Sequence, residues 1–413
     1  MRVLVAPDKF KGSLTAAEVA GALGEGLAAA GVEARLLPLA DGGDGSVAAA
    51  LHAGFRAHEV TVVGADGRPV RAQFASDGHT AVVEVASTCG LATLSGVRAP
   101  MTSSSLGFGQ AVAAAAGTGV SRIVLALGGS ASTDGGAGML AAFGARFLDE
   151  TGAEISPSGA TLDRIAGVDI SAPLHGTELA VASDVGNPLH GTELHGTELA
   201  VATDVGNPLH GIELIVATDV GNPLLGPDGA AAVFGPQKGA SGVQINQLEA
   251  GLDRLARALP VSVTGRSPLD LASQAGAGAA GGIGFAALWL GARQVSGAEF
   301  FLDLLGFDEA LEGCRAVVVG EGHMDSQTLW GKLPAVVAAR AAPRPAYAVV
   351  GRNSLTADEQ QRLGLSGLYA LTDLTREDPS RDPALSRRLV TRAGQSLGGH
   401  LHKIFTARPI DYR

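Results

Sequence analysis

The sequence predicts an α/β protein in which buried strands lead into helices through glycine-rich loops. Residues 123–139, IVLALGGSASTDGGAGM, show the unit most plainly: an apolar run, a glycine-rich turn holding one aspartate, and an apolar stretch at helical spacing. Composition agrees, because 46% of the residues are hydrophobic, only 4% are aromatic, and 59 are glycine. Small side chains of this kind suit helices that pack closely on sheets.

The chain begins with a predicted βαβ unit. Residues 3–6 form a short apolar run that predicts a buried strand, and TAAE at 15–18 fits a capping box that starts a helix ending near Ala30. Gly31 stands where a glycine commonly ends a helix, and 33–39 is predicted as the next strand.

The pattern changes in the middle of the chain and returns near its end. From Val60 the sequence alternates with period 2 around the turn signals ADGRP and SDGH, which predicts two antiparallel strands. The other predicted elements are helices at 46–52, 107–117, 138–143 and 334–342, and strands at 123–127, 316–319, 346–350 and 368–371.

Two domains follow from this arrangement. A chain of 413 residues is long for one domain. Because both ends carry strand–loop–helix units and the middle begins with hairpins, we expect a Rossmann-like domain built from both termini with a second α/β domain inserted. The predicted boundaries give residues 1–62 plus 298–413 for the first domain and 63–297 for the second.

Charge and cysteine usage exclude several classes of protein. A net charge of −11 and a pI near 5.4 argue against nucleic acid as a general partner. Cys89 and Cys314 are too few for a disulfide framework and predict buried thiols in a reducing compartment. The N-terminus has no signal-peptide pattern, and no apolar stretch reaches the roughly 20 residues that span a bilayer. We expect a cytoplasmic protein with no membrane partner.

A tandem duplication occupies residues 175–224, where HGTELAVASDVGNPL (175–189) recurs almost unchanged at 195–209 and 210–224. The units are too short and too irregularly spaced for a solenoid. Only one copy fits a given strand, and the last is continuous with 225–241, which favours Asp219 and Asn222. The alternative keeps the first copy, with Asp184, in place. The repeated histidines, which are copies of one residue, do not predict a metal cluster: His175, His190, His195 and His210.

Several loops carry polar residues suited to chemistry, although each alone could be a solvated turn. The glycine-rich loop at 128–138 lets backbone N–H groups approach an anion, with Gly129, Ser130 and Asp134 as candidate contacts. In an open α/β sheet, ligands bind beyond the carboxyl ends of the strands, where 317–334 places several acids. The further candidates are Lys9, Lys11, Asp41, Asp44, Asp219, Asn222, Lys238, Glu321, Asp325, Thr328 and Lys332.

One glycine motif fails its test as a dinucleotide site. Residues 275–281 read AGAGAAG and contain G-x-G-x-x-G, but no strand is predicted before them. An NAD-dependent dehydrogenase is therefore disfavoured, although an anion-binding helix start stays open. The sequence also contains no Walker A motif, G-x-x-x-x-G-K-[ST].

Six motifs in order resemble those of the type 1 glycerate kinases, over roughly residues 1–375. They are APDKFKGSLTA, LADGGDGS, GGSASTDGGAGM, DVGNPLLGPDGAAAVFGPQKGAS, GAGAAGG and GEGHMDSQTLWGK. The chain departs from the family pattern in three places. His323 stands where the family usually has arginine, VVGRNSL at 349–355 differs from the usual loop, and the repeated segment has no counterpart.

The resemblance implies ATP-dependent phosphorylation of D-glycerate, with 2-phosphoglycerate favoured over 3-phosphoglycerate, at a cleft between the domains. Phosphoryl transfer needs Mg²⁺, cations and a base. Asp41 and Asp44 are predicted as metal ligands and Asp325 as the first choice for the base. Asp134 is the second choice, and Lys332 completes the catalytic set. The predicted substrate and phosphate contacts are Lys9, Lys11, Gly129, Ser130, Asp219, Asn222, Lys238, Glu321 and Thr328.

The partners expected from the resemblance are glycerate and ATP, with no nucleic acid and no membrane; a homodimer is left open. A different class of function also stays open. The duplication could have produced a non-catalytic or inactivated binder of small carboxylates or nucleotides. Nucleotide-dependent turnover of glycerate distinguishes the two.

Overall fold

A computed structural model describes residues 1–94, 96–170, 209 and 211–407, and it has the predicted α/β fold. Two compact units make up the chain. The first comprises Met1–Asp41, Ala48–Ala53 and the chain from Ser296, so it is built from both ends of the sequence. The second comprises Gly42–Val47 and Gly54–Val295.

The strands of both units are numbered in chain order. They are β1 (Arg2–Pro7), β2 (Glu33–Leu36), β3 (Arg56–Val63), β4 (Pro69–Ser76), β5 (Thr80–Glu84), β6 (Arg122–Ala126), β7 (Arg146–Leu148), β8 (Glu154–Ile155), β9 (Gly167–Asp169), β10 (Glu213–Ala217), β11 (Arg293–Val295), β12 (Val317–Met324), β13 (Ala346–Asn353) and β14 (Leu365–Ala370).

The α-helices follow the same numbering. They are α1 (Ala16–Ala29), α2 (Ser46–His52), α3 (Val85–Cys89), α4 (Leu106–Ala116), α5 (Ala137–Ala142), α6 (Ala230–Phe234), α7 (Gly242–Ala258), α8 (Pro268–Ala272), α9 (Ile283–Trp289), α10 (Gly297–Leu304), α11 (Phe307–Leu311), α12 (Leu333–Ala341), α13 (Ala357–Arg362) and α14 (Pro383–Ala407). No helix in the described ranges is long and apolar enough to cross a membrane.

The first unit is built on a five-stranded parallel sheet in the order β14-β13-β12-β1-β2. Its core is made of aliphatic residues from the central strands and from α1 and α14, among them Val5, Leu23 and Leu397. The predicted capping box is confirmed, because Thr15 accepts from the backbone N–H of Glu18 and Glu18 accepts from that of Thr15. Since all five strands are parallel, their carboxyl ends share one edge of the sheet.

The second unit contains a six-stranded mixed sheet in the order β11-β10-β6-β5-β4-β3 and a small antiparallel sheet, β8-β7-β9. The strands β5, β6, β10 and β11 are parallel, whereas β3, β4 and β5 are joined by hairpins. The prediction of two antiparallel strands after Val60 was wrong, because two turn signals separate three strands.

The predicted domain boundaries and the two compact units differ in position. The predicted boundary at 62 falls within β3, which pairs with β4 along its whole length. The change from the first unit to the second instead lies after Ala53, and the return to the first lies at Ser296, close to the predicted 297. The exact domain limits, 1–62 plus 298–413 and 63–297, remain predictions.

The last copy of the repeated segment supplies a strand of the six-stranded sheet. Its residues Glu213–Ala217 form β10, which pairs with β6 on one side and β11 on the other. The last copy is therefore built into the sheet, as chain continuity predicts. The earlier copies lie outside the described residues, as do Asp184, Asp204, His175, His190, His195 and His210.

Candidate functional site

A group of acids and lysines lies at the carboxyl edge of the five-stranded sheet, within the first unit. Asp8 directly follows β1, and its backbone N–H donates to the carbonyl of Gly320 at 2.9 Å, which sets it beside Glu321 on β12. The chain beyond β2 continues along β1, where Leu39 donates to Pro7 at 2.9 Å, and so brings Asp41 toward Asp8. We call this group the acidic cluster: Asp8, Lys9, Asp41, Glu321, Asp325 and Lys332.

Thr328 fixes the end of β12 within the cluster. Its buried hydroxyl lies 3.3 Å from Glu321 Oε2, and it accepts from the backbone N–H of Asp325 at 3.3 Å. Lys332 Nζ lies 3.9 Å from Glu321 Oε1 and 3.8 Å from Asp325 Oδ1, distances longer than a hydrogen bond. The lysine is therefore near both carboxylates without being tightly bound to either through these atoms.

Two carboxyl groups of the cluster have strongly raised pKa values. Burial raises the pKa of Glu321 from 4.5 to about 7, opposed by Lys332 and reinforced by Asp8. Burial also raises the pKa of Asp8 from 3.8 to about 7, with Lys9 lowering it and Asp41 raising it. Carboxyl groups that exchange protons near neutral pH are suited to general acid–base chemistry.

The structure brings together most of the residues predicted for this region. Lys9, Asp41, Glu321, Asp325, Thr328 and Lys332 all lie at this edge. Asp8 is the residue that sequence reasoning missed. The available signal was its position, immediately after a buried strand and next to Lys9 in APDKFKGSL. Lys11, in the same loop, is exposed.

The second unit gathers a different set at the carboxyl ends of β5, β6 and β10. The segment Gly42–Val47 lies across these ends and carries Asp44, which is exposed. The carboxylate of Glu84 accepts from two backbone N–H groups of this segment. A Cβ atom placed on Gly129 would lie 3.9 Å from the Cβ of Asp44. Asp44 is therefore next to the glycine-rich loop after β6.

Lys238 lies underneath that loop rather than on an open surface. It is 2% exposed, and its ammonium donates to Ser130 Oγ at 3.0 Å and to the carbonyl of Ser132. Burial lowers the pKa of Lys238 from 10.5 to about 8, while Asp134 and Cys89 oppose the shift. Lys238 therefore stabilises the loop through these two hydrogen bonds, and its role as a phosphate contact stays a prediction.

Asp134 is likewise buried and hydrogen bonded to protein groups. It is fully buried, and its Oδ2 accepts from the backbone N–H and the hydroxyl of Ser105 at 2.7 and 2.8 Å. The backbone N–H groups of Gly136 and Gly138 donate to it at 3.3 Å. Burial raises its pKa against the effect of these bonds. This burial and these protein donors favour a structural role, and Asp134 as the second-choice base stays a prediction.

The loop after β10 places Asp219 at the surface and ties Asn222 into the fold. The carbonyl of Asn222 accepts from Gly276 at 3.1 Å and from Gly278 at 2.9 Å, and its side chain donates to Asp228. A Cβ on Gly278 would lie 2.2 Å from the carbonyl oxygen of Pro223. The glycines of AGAGAAG therefore allow two loops to pack, and helix α8, not a strand, precedes them.

Comparisons with known proteins match this architecture along nearly its whole length. The model of the glycerate kinase family matches residues 3–197 and 193–397. The chain belongs to the glycerate kinase family. The first match ends at residue 197 and the second begins at residue 193, so the two meet inside the repeated segment.

Curated relatives and a solved structure support this membership. The chain is 35% identical to glycerate kinase of Bacillus subtilis over 380 residues, covering 90% of each protein. It is 35% identical to glycerate 2-kinase of Escherichia coli over 368 residues, covering 87% of this chain and 86% of that protein. A crystal structure assigned to glycerate kinase 2 from Salmonella typhimurium LT2 aligns with a TM-score of 0.73, at 33% identity, covering 99% and 100% of the two chains. The protein is therefore an enzyme of the kinase class, with ATP as co-substrate.

Two departures from the family motifs lie side by side in the structure. His323, at the end of β12, is hydrogen bonded through Nε2 to Ser354 Oγ at 2.7 Å. Ser354 belongs to the second departure, and its backbone N–H donates to Met324 at 2.8 Å. The pair forms part of the carboxyl edge that carries the acidic cluster.

Proposed function

We propose that this protein transfers the γ-phosphoryl group of ATP to a hydroxyl of D-glycerate, and that the product is 2-phosphoglycerate. The observation that carries the proposal is the acidic cluster. Its carboxyl groups Asp8 and Glu321 have pKa values of about 7 and lie beside lysines at the carboxyl ends of parallel strands. The name of the Escherichia coli relative, glycerate 2-kinase, favours the 2-position over the 3-position.

Glu321 is our proposal for the base that accepts the proton of the substrate hydroxyl. It is more enclosed than Asp325, hydrogen bonded to Thr328 and flanked by Lys332. As the hydroxyl oxygen bonds to the γ-phosphorus, the bond from that phosphorus to the bridging oxygen of ADP breaks and ADP leaves. Lys332 is positioned to reduce the negative charge that both reactants bring. Asp325 stays the alternative base.

The donor chemistry of the cluster fits Mg²⁺. In phosphoryl-transfer sites this ion commonly takes one or two carboxylates together with phosphate oxygens and water. Within the part of the chain that the structure describes, no group of three His, Cys, Asp or Glu side chains is placed to hold a metal ion alone. We propose Asp41, beside Asp8, as a carboxylate ligand and retain Asp44 as a second candidate. The bound ion would neutralise phosphate charge.

The remaining predicted contacts to substrate and phosphate stay proposals. Lys9 belongs to the acidic cluster, Thr328 is hydrogen bonded to its member Glu321, and Lys11, Asp219 and Asn222 lie on loops beyond strand ends. Gly129 and Ser130 border Asp44 and Lys238. The cytoplasmic location and a homodimer stay predictions.

Product identification tests the proposed reaction. The protein is incubated with ATP, Mg²⁺ and D-glycerate, and phosphorus NMR identifies the phosphate ester. We expect 2-phosphoglycerate and ADP in equal amounts, with ATP consumed only when glycerate is present. Equal ATP consumption with and without glycerate would contradict the proposal, and 3-phosphoglycerate would contradict the assigned position.

The alternative of a non-catalytic binder gives a different result in the same experiment. Such a protein would bind glycerate or ATP in calorimetry, yet produce no ester over many hours. Replacing Glu321 by glutamine supplies the matched control, because it preserves size and removes the proposed base. Turnover by wild type and its loss in Glu321→Gln together support the kinase over the binder.

A further inference from the structure

We propose that Glu84 is a positioning residue that holds the segment Gly42–Val47, and with it Asp44, at the carboxyl edge of the six-stranded sheet. The proposal rests on the proposed function in so far as Asp44 serves the reaction. Glu84 is the last residue of β5, and its side chain is only 7% exposed. No motif in the sequence singles it out.

Two hydrogen bonds of the Glu84 carboxyl group are directed at the backbone of this segment. Its Oε2 accepts from the N–H of Gly45 at 3.1 Å and from the N–H of Val47 at 3.1 Å. These two groups flank Ser46, the first residue of α2, and the first N–H groups of a helix have no acceptor within the helix. The carboxylate therefore supplies the acceptor for the start of α2 and fixes the residue next to Asp44.

The segment also packs closely against the ends of two further strands, and each of these contacts requires a glycine. A Cβ on Gly42 would lie 2.3 Å from the carbonyl oxygen of Ala217, at the end of β10. A Cβ on Gly128, just beyond β6, would lie 2.5 Å from the Cα of Gly43. The backbone N–H of Gly128 also donates to Gly42 at 3.4 Å. The segment thus passes over the ends of β5, β6 and β10, and the side chain of Glu84 holds it there through two hydrogen bonds.

The same strand offers a matched control at its other end. Asp77, in the turn before β5, accepts through one oxygen from the backbone N–H groups of His79 at 2.8 Å and Thr80 at 2.7 Å. Like Glu84, it is a carboxylate that binds two backbone donors. It lies at the amino end of the strand, away from the strand ends that carry Asp44.

The test compares four variants of the full chain: Glu84→Ala, Glu84→Gln, Asp77→Ala and Asp77→Asn. Hydrogen exchange of the peptide spanning 42–47 reports the anchor directly, while melting temperature reports stability. Steady-state kinetics give kcat and KM for glycerate and ATP. Glutamine retains an oxygen that can accept both hydrogen bonds, so Glu84→Gln should rescue much of what Glu84→Ala loses.

We expect Glu84→Ala to speed exchange within 42–47 by at least ~10-fold, because two hydrogen bonds to a charged acceptor are lost. Its kcat should fall by at least ~10-fold more than that of Asp77→Ala, even where the two variants melt at similar temperatures. Glu84→Gln should lie near wild type in both exchange and kcat. Both Asp77 variants should leave exchange within 42–47 and kcat unchanged.

Two results would overturn the proposal, and a third would contradict only the proposed reaction. Unchanged exchange within 42–47 in Glu84→Ala would show that Glu84 is not the anchor. Faster exchange with wild-type kcat would show an anchor that does not position a functional residue. If wild-type protein fails to phosphorylate glycerate, the proposed function fails by itself, and the exchange comparison still decides whether Glu84 holds the segment.

Discussion

The two sheets carry similar residues beyond their carboxyl edges, but the residues are in opposite states. In the first unit, Glu321 and Lys332 are partly exposed and lie 3.9 Å apart. In the second unit, Asp134 and Lys238 are buried, and protein groups bind both side chains at hydrogen-bond distance. An acid and a lysine near glycine-rich loops therefore occupy two different environments in one chain.

The difference lies in how the charged groups are satisfied. A buried carboxylate that accepts several internal hydrogen bonds stabilises a loop and offers little to a substrate. A carboxyl group that is partly desolvated, with a lysine nearby but not bonded, can accept a proton and can bind a ligand. Burial and hydrogen-bond partners, rather than residue type, therefore distinguish Glu321 and Lys332 from Asp134 and Lys238.

Glu321→Gln should have the largest effect of the variants that test this comparison. We expect kcat to fall by ~10²-fold or more, the scale for loss of a positioned base. Wild-type kcat should rise as the pH passes about 7, where Glu321 loses its proton under the influence of Lys332, Asp8 and Asp325. Steady-state kinetics between pH 5.5 and 8.5 measure both effects.

The stability of Glu321→Gln should not fall with its kcat. Because the pKa of Glu321 is raised from 4.5 to about 7 in the folded protein, its contribution to stability is present at acidic pH and is lost as pH rises through about 7. At pH 8, the neutral glutamine should melt at the same temperature as wild type or higher. A lower melting temperature together with lost activity would show that Glu321 supports the fold.

Asp134→Asn should show the reverse pattern, with a smaller effect on kcat and a larger one on stability. Asparagine cannot accept through both side-chain heavy atoms, so donors from Ser105, Gly136 or Gly138 lose a partner. A buried donor without its partner costs about 1–3 kcal/mol. Thermal melting and kinetics on the folded fraction measure the two effects. Wild-type stability with lost turnover would instead support Asp134 as a catalytic residue.

Lys238→Met gives a weaker, pH-dependent test of the buried residues in the second unit. The pKa of Lys238 falls from 10.5 when exposed to about 8 in the folded protein. Its contribution to stability is therefore present above about 10.5 and is lost as pH falls through about 8. The difference in melting temperature, wild type minus variant, should grow from pH 8 to pH 10. A difference that does not change with pH would contradict the lowered pKa of Lys238.

Much of the architecture could be predicted because it depends on local patterns. The capping box at Thr15 and the strand predicted at 123–127, which is β6, follow from residues close in sequence. The acidic cluster could be expected because parallel strands end at one edge. Asp8 was missed, since its partner Glu321 comes from the opposite end of the chain. The burial of Asp134 and Lys238 depends on distant loops that no local pattern indicates.

Removing the extra repeat copies should have the smallest effect, and it tests whether the second unit needs them. The last copy already supplies β10, paired on both sides, so deleting 175–209 removes no residue of the described sheets. Leu209 is buried in the core, but the deletion joins Leu174 to His210 and so returns a leucine to that position.

We expect the shortened protein to fold and to turn over glycerate at the wild-type rate. Its free energy of unfolding should be equal or higher, by about 1 kcal/mol at most, because the cost of closing a connection grows only logarithmically with its length. Denaturant unfolding and kinetics measure both quantities. A deleted protein that loses activity or unfolds more easily would show that the earlier copies contribute to the native structure, and Asp219 would then no longer be the favoured copy.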